Sequence, residues 1–213
     1  MHPIPILATA GFFLGLLGHQ LLSRLRRGAI VHKGWCAGGV AILWSIAAWR
    51  VADGHLSWWW LPIPLVAAWF AVLLTVVDLK HRRLPNALTL SAYPATAATI
   101  AAATTQAGWP LAKGALMGAA ALATLYLAVH TVAPQAMGAG DVKLSGSQGA
   151  ILGAVGWPAV LVGATLSALL TLALRVVAPK HAATTWRTGI PHGPGLLAAT
   201  YLIATFAVTP TPP

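Results

Sequence analysis

The stretch Gly138-Ala139-Gly140-Asp141-Val142-Lys143-Leu144 places a carboxylate directly after a Gly-x-Gly turn, at the start of an apolar run. The chain has only two other acidic residues, Asp53 and Asp78, and no glutamate. An ionisable group at bilayer depth costs roughly 2.5–3.5 kcal/mol on insertion scales, so such groups are mostly functional. An aspartate that only caps a helix N-terminus is the plain alternative. Taken alone, the stretch leaves both interpretations open.

The composition excludes a soluble globular domain. Of the 213 residues, 58% are hydrophobic and 8% are charged, and the mean hydropathy is +0.76, whereas soluble domains carry about 25% charged residues. A formal charge of +10 would suggest a nucleic-acid partner for a soluble protein. Here the bases sit in short loops and at the ends of apolar runs, which is a topology signal. We therefore predict an all-α polytopic membrane protein that binds no nucleic acid, with its 213 residues forming one transmembrane domain.

Eight apolar segments are candidates for membrane helices, given a need of about 20 residues for a full span. They lie near residues 4–23, 35–52, 58–79, 87–106, 111–133, 141–155, 157–178 and 190–209. With the N-terminus outside and one crossing per segment, eleven of the thirteen bases fall on the inner side. They are Arg24, Arg26, Arg27, Lys33, Lys80, Arg82, Arg83, Lys143, Arg175, Lys180 and Arg187. Only Arg50 and Lys113 remain outside, so the positive-inside rule predicts an N-out, C-out protein.

Two of these segments have unusual starts. The third begins with Trp58, Trp59 and Trp60 at its outer end, where we expect an interfacial aromatic belt. The sixth has about 15 residues and reaches roughly 22 Å, against a hydrocarbon core of about 30 Å. Its start is therefore expected below the membrane surface, where a non-helical turn over 138–140 would line a polar cavity. Gly146, Gly149 and Gly153 of the sixth segment, and Gly156 just beyond it, are expected to let neighbouring helices approach closely.

Asp78 ends the third segment, on the same inner side as Asp141. Two carboxyl groups held close cannot both ionise cheaply, so they share a proton and titrate as a unit. One member can then activate a water as a base while the other protonates a carbonyl oxygen. The plain alternative is a surface ion pair of Asp78 with Lys80 or its basic neighbours, which would contribute little. Asp53 lies in an outer loop and is expected to be a turn residue.

Three motifs in this order resemble those of the type IV prepilin peptidases, which are membrane aspartic proteases of the GxGD type. An aspartate ends a segment and is followed by Pro and Asn: Asp78, then Leu84-Pro85-Asn86. The second motif is Gly138-Ala139-Gly140-Asp141-Val142-Lys143-Leu144. The third is Pro-x-Gly-Pro before the last segment, here Pro191-His192-Gly193-Pro194. The resemblance covers a core of about residues 58–209.

The resemblance implies an endopeptidase that cleaves the basic leader of prepilin-like or pseudopilin-like precursors. The cut would lie at the cytoplasmic face of the bacterial inner membrane, and Asp78 and Asp141 would be the catalytic pair. The residues expected to support the site are Gly138, Gly140, Lys143, Pro85, Asn86, Pro191 and Gly193. The loop near 24–34 lacks the paired cysteines that bind zinc in longer relatives, and the chain has one cysteine, Cys36. We therefore expect no cofactor and no metal, and the resemblance does not carry the family's methyltransferase activity to this chain.

A proton-coupled transporter or channel is the alternative, with the two aspartates as proton relays. A relay should have ionisable groups staggered across the bilayer, whereas both acids are predicted at one face. Lys143 is expected to point away from Asp141 and to serve a structural or lipid-binding role, and Arg82 and Arg83 to bind anionic lipid. The three histidines in or near spans, His19, His130 and His192, are expected to be hydrogen-bonded packing residues and not metal ligands.

Overall fold

The fold was analysed in a computed structural model that describes residues 3–25, 32–81, 84–135, 137–177 and 191–207. Within these ranges the chain forms eight α-helices and no strand. The all-α prediction is confirmed. Several bases that carried the topology prediction lie outside the described residues, namely Arg26, Arg27, Arg82, Arg83, Lys180 and Arg187.

Each of the eight predicted apolar segments contains one helix. The helices are α1 Pro3–Arg24, α2 Lys33–Ala52, α3 Pro62–His81, α4 Asn86–Ala107, α5 Trp109–Val132, α6 Ala139–Val155, α7 Trp157–Val177 and α8 Gly193–Phe206. Five of them, α1, α2, α3, α5 and α7, are long and apolar enough to cross a membrane by length and composition. The other three fall short for different reasons. Helices α6 and α8 are short, with 17 and 14 residues. Helix α4 is long enough but contains many Thr and Ser side chains.

Each helix contacts the next one along the chain. Close pairs show that neighbouring helices run in opposite directions, so the chain reverses between them; such pairs are Gly11–Ala41 with Gly15–Ala37, and Gly114–Gly153 with Gly118–Gly149. Two of these reversals have the same three-residue turn sequence, Gly-Trp-Pro, at Gly108-Trp109-Pro110 and Gly156-Trp157-Pro158. Both glycines have positive φ, 77° and 147°, which other residues rarely adopt. The proline then stands in the first turn of the next helix, where its missing N–H costs nothing. Gly156 was expected to be a packing residue and is instead needed for this turn.

Helices α5 and α6 pack backbone to backbone at a run of glycines. A Cβ at Gly118 would lie 2.6 Å from the Cα of Gly153, and one at Gly149 would lie 2.8 Å from Cβ of Leu122. Only glycine leaves room for such an approach, which brings many weak contacts together where lipid offers no hydrophobic driving force. Gly149 and Gly153 therefore have the packing role that the sequence indicated. This tight pair fixes where the first turn of α6, with Asp141, lies in the bundle.

The end of the bundle near Trp60 we call the tryptophan end. Trp60 Nε1 donates to Ala204 O of α8 at 2.8 Å, and Arg50 Nε donates to Thr205 O at 3.3 Å. These bonds join the end of α2 and the start of α3 to the end of α8. Four Trp side chains at this end are at least 45% exposed, as in an aromatic belt; they are Trp49, Trp58, Trp109 and Trp157.

The structure corrects the predicted start of the third helix. It begins at Pro62, and residues 58–61 form turns before it. Of the three tryptophans expected in the belt, only Trp58 is exposed. Trp59 and Trp60 are buried in an apolar cluster with Ile63, because the turn folds them back onto the bundle. They are core residues and not surface anchors.

Candidate active site

The opposite end of the bundle, which we call the carboxylate end, holds two buried aspartates. Asp78 lies in the last turn of α3 and Asp141 in the first turn of α6. Their side chains are only 5% and 7% exposed. Buried carboxyl groups are expensive and are found where they have partners or a task. The third aspartate, Asp53, is exposed at the C-terminal cap of α2, at the tryptophan end.

The first residue of α8, Gly193, shows how close the two carboxyl groups are. A Cβ built on Gly193 would lie 2.9 Å from Oδ2 of Asp78 and 3.2 Å from Oδ1 of Asp141. The two oxygens are therefore at most about 6 Å apart, a distance over which carboxyl groups influence each other's ionisation. Oδ1 of Asp141 is buried and accepts no hydrogen bond from the described residues. The two aspartates and Gly193 thus form one cluster at the meeting point of α3, α6 and α8.

The glycines before Asp141 are needed because a side chain would be crowded there, and not because of a special backbone conformation. Gly138 caps α6 with φ −72° and ψ 145°, a conformation open to any residue. The helix starts at Ala139, so Gly140 is helical and the non-helical turn expected over 138–140 is wrong. A Cβ on Gly140 would lie 3.1 Å from Cβ of Leu84, and one on Gly138 would lie 3.3 Å from Oδ2 of Asp141. Asp141 N also donates to Gly138 O at 3.0 Å, which orders the turn that carries the carboxylate.

The start of α4 covers the site from the side. The side chain of Leu84 lies where a Cβ on Gly140 or on Gly193 would point. Its Cδ1 is 3.5 Å from the Cβ built on Gly193. Pro85, which is buried, caps α4. Asn86 Oδ1 accepts a hydrogen bond of 3.1 Å from Lys143 Nζ. Lys143 therefore joins α6 to α4 at the exposed mouth of the site. Leu84 is also part of the site. It stands in one of the three sequence motifs, but it was not predicted as a supporting residue.

Lys143 has a second tie to α4 through its backbone. Tyr93 Oη donates to Lys143 O at 2.8 Å, and its ring packs on Gly146. Tyr93 lies two turns into α4, so this bond and the one at Asn86 hold the first turn of α6 at two levels. The sequence carried no signal for this contact because the two residues are far apart in the chain.

On the far side of Gly193, the ring of His192 bonds to two helices. Its Nε2 lies 2.8 Å from Tyr126 Oη of α5, and its Nδ1 lies 2.9 Å from Thr171 Oγ1 of α7. The Tyr126 hydroxyl is also 3.2 Å from Ser167 Oγ. The sequence predicted that His192 is a hydrogen-bonded packing residue, but it did not identify the partners. No spacing could have found them, because they belong to two other helices.

The remaining predicted residues are placed as follows. Pro191 is buried just before α8. His130 Nδ1 bonds to Met137 O at 2.8 Å, close to the start of α6. His19 is half-buried in α1, and Cys36 is buried in α2. Within the described ranges, no three His, Cys, Asp or Glu side chains are grouped so that they could hold a metal ion.

Comparison with known proteins supplies the class. Residues 65–175 match the type IV leader peptidase family. This range is more than half of the chain and includes both Asp78 and Asp141. The protein therefore belongs to the type IV leader peptidase family, and at the level of that family it is a multi-pass membrane peptidase. No curated protein and no solved structure matches the chain.

Proposed function

We propose that this protein is an aspartic endopeptidase that removes the basic leader from prepilin-like precursors, with Asp78 and Asp141 as its catalytic pair. The observation that carries the proposal is the convergence of these two buried carboxyl groups on Gly193. The chain has a single further carboxylate side chain, at the other end of the bundle. Pro191 and Gly193 then belong to the site although they lie beyond the residues that match the family.

The proposed chemistry needs only the two carboxyl groups and a water. One carboxylate takes a proton from the water as it attacks the scissile carbonyl carbon, and the other carboxylic acid protonates the carbonyl oxygen. The C–N bond of the tetrahedral intermediate breaks when the leaving amine receives a proton from the pair, and the pair takes a proton from a hydroxyl of the intermediate as the new carboxyl group forms. Each half-reaction returns one proton to the pair, so a shared proton is enough. Burial by Leu84 and Gly193 supports this, because a low local dielectric strengthens each electrostatic contact with the developing charge.

The proposed substrate fits the position of the site in the bundle. The carboxylate end holds the described bases that the topology prediction places inside, and only Arg50 and Lys113 are at the tryptophan end. With that orientation, the site opens at the cytoplasmic face of the bacterial inner membrane. A precursor with a soluble basic leader and an apolar helix would offer its junction at this level. The exposed Lys143 and the neighbouring bases would contact lipid phosphates around the mouth.

A proton-coupled transporter is the less favoured function. A relay needs ionisable groups at successive depths. Both buried aspartates are at one end, and the third aspartate is exposed at the other. Between them the described helix interiors bury Thr, Ser and Gln side chains but no further acid or base.

The test is leader cleavage in proteoliposomes. The substrate is a synthetic precursor with a short basic leader, a glycine before the junction and an apolar helix, and the product is identified by its gel mobility and its new N-terminus. We expect Asp78→Asn and Asp141→Asn each to abolish cleavage at normal protein levels, because an amide cannot act as the base. Asp53→Asn should cleave like the unchanged protein. Cleavage by either site variant would refute the aspartic mechanism, and loss of activity on chelation would point to a metal site.

A further inference from the structure

His192 stands directly before Gly193, and its ring is the most extensively bonded polar group near the two aspartates. Thr171 Oγ1 donates its hydrogen to Ser167 O at 2.8 Å. Thr171 can therefore only accept from His192, so Nδ1 of His192 carries the proton of that 2.9 Å bond. The second ring nitrogen, Nε2, forms a hydrogen bond of 2.8 Å with Tyr126 Oη. Both ring nitrogens are thus engaged, one with α7 and one with α5.

The first turn of α8 is also pressed against α7. A Cβ on Gly195 would lie 3.1 Å from Thr171 N and still closer to Thr171 Oγ1. Gly193 and Gly195 are two residues apart, so they face nearly opposite sides of the helix, about 200° apart. Gly195 meets α7 while Gly193 meets the two carboxyl groups. The first turn of α8 is therefore a thin spacer between α7 and the catalytic pair.

Because of this geometry, the bonds of His192 decide where Gly193 lies. Leu196 N donates to His192 O at 3.1 Å, so the backbone of His192 belongs to the first turn of α8. Moving the His192 ring would move that turn towards or away from the carboxyl groups. A displacement of about 1 Å in an active site can reduce the rate about 10²-fold.

We propose that His192 is a positioning residue of the peptidase, which holds Gly193 beside Asp78 and Asp141 through its bonds to Tyr126 and Thr171. The inference rests on the proposed function and adds to it a residue that touches neither the substrate nor the reacting atoms. The ring holds two helices at once: Nδ1 donates to Thr171 of α7, and Nε2 forms a hydrogen bond with Tyr126 of α5. Removing either bond should loosen the first turn of α8 without unfolding the bundle, because the helix is also held at its other end by Trp60 and Arg50.

The test uses the full chain with two readouts, cleavage kinetics and hydrogen–deuterium exchange of the backbone over 193–197. His192→Phe keeps an aromatic ring without polar atoms, and we expect kcat to fall about 10²-fold with KM within twofold. Tyr126→Phe removes one bond and should lower kcat about tenfold. Both should speed exchange at residues 193–197. His192→Gln, which keeps a donor and an acceptor, should recover part of the lost rate.

The matched control is Tyr201→Phe, which also removes a buried phenol hydroxyl that bonds across helices, here to Leu43 O at 2.7 Å. It should leave kcat and the exchange of 193–197 unchanged. An unchanged kcat in both His192→Phe and Tyr126→Phe, with Asp78→Asn inactive, would overturn the inference alone. So would unchanged exchange at 193–197. If His192→Phe does not fold, Tyr126→Phe still decides. An active Asp78→Asn would instead refute the proposed function, and the inference with it.

Discussion

The two ends of this helix bundle are built from the same helices but bury different kinds of side chain. The carboxylate end buries Asp78 and Asp141 and surrounds them with glycines and Leu84. The tryptophan end buries Trp60 and leaves Asp53 exposed. One residue type therefore has opposite environments at the two ends.

The difference between the two ends supports the carboxylate end as the proposed site of the reaction. At the tryptophan end, the polar groups pair with helix carbonyls, as in the bonds of Trp60 to Ala204 O and Arg50 to Thr205 O. Such bonds complete the last turn of α8 and stabilise it. Each end also buries an oxygen without a hydrogen bond from the described residues, but at the carboxylate end it is a carboxyl oxygen, Oδ1 of Asp141, and at the tryptophan end it is the uncharged hydroxyl of Thr205. We therefore expect changes at the carboxylate end to remove activity and changes at the tryptophan end to affect stability.

The largest expected difference between the two ends is the side of the membrane on which each one lies. His55 and His81 are both exposed and described, one at each end. On a Cys36→Ser background, we expect a cysteine replacing His55 to react with a membrane-impermeant maleimide added to intact cells. A cysteine replacing His81 should react only after the membrane is opened. The reverse pattern would overturn the N-out, C-out topology and place the carboxylate end outside.

The second contrast concerns the proposed catalytic pair, Asp78 and Asp141, as a unit. Asp78→Asn combined with Asp141→Asn should be no less active than either single variant, because residues that act together have non-additive effects. The measurement is the cleavage rate in proteoliposomes at matched protein levels. Two independent contributions would instead multiply, and a double variant much slower than both single ones would contradict a shared mechanism.

A third contrast tests space at the carboxylate end. Gly140→Val would place side-chain atoms on Leu84, whose Cβ is 3.1 Å from the Cβ position of Gly140. We expect loss of cleavage with the protein still inserted in the membrane. The control is Gly38→Val on α2, where an added Cβ meets nothing within 4 Å. Normal cleavage by Gly140→Val would show that this contact does not set the position of Asp141.

The smallest effect is expected at the tryptophan end. Trp60→Phe removes the hydrogen bond to Ala204 O and leaves a buried carbonyl unsatisfied, at a cost of about 1–3 kcal/mol. The unfolding temperature in detergent should fall, while the cleavage rate per folded molecule stays within about twofold. Trp58→Phe is the comparison, since Trp58 is 72% exposed and should change neither quantity. A large loss of cleavage rate in Trp60→Phe would contradict the expectation that changes at the tryptophan end affect stability alone.

The sequence alone determined the class of the molecule and the identity of its acidic residues. The lengths of the apolar runs predicted eight helices, and three short motifs indicated the leader peptidase family. These signals are local, because hydrophobicity over about 20 residues and the order of residues in a motif do not depend on packing. The same local view placed Trp59 and Trp60 in a surface belt and a non-helical turn over 138–140, and both predictions were wrong.

Only the tertiary structure decided which residues meet. Asp78 and Asp141 converge because α3, α6 and α8 come together at Gly193, and α6 is held in place by its glycine contact with α5. Gly140 is needed because Leu84 arrives from the start of α4. The partners of His192 come from α5 and α7 and have no periodic relation in the chain. Contacts between helices depend on how side-chain volumes fit across the bundle, and that information is not contained in any one stretch of sequence.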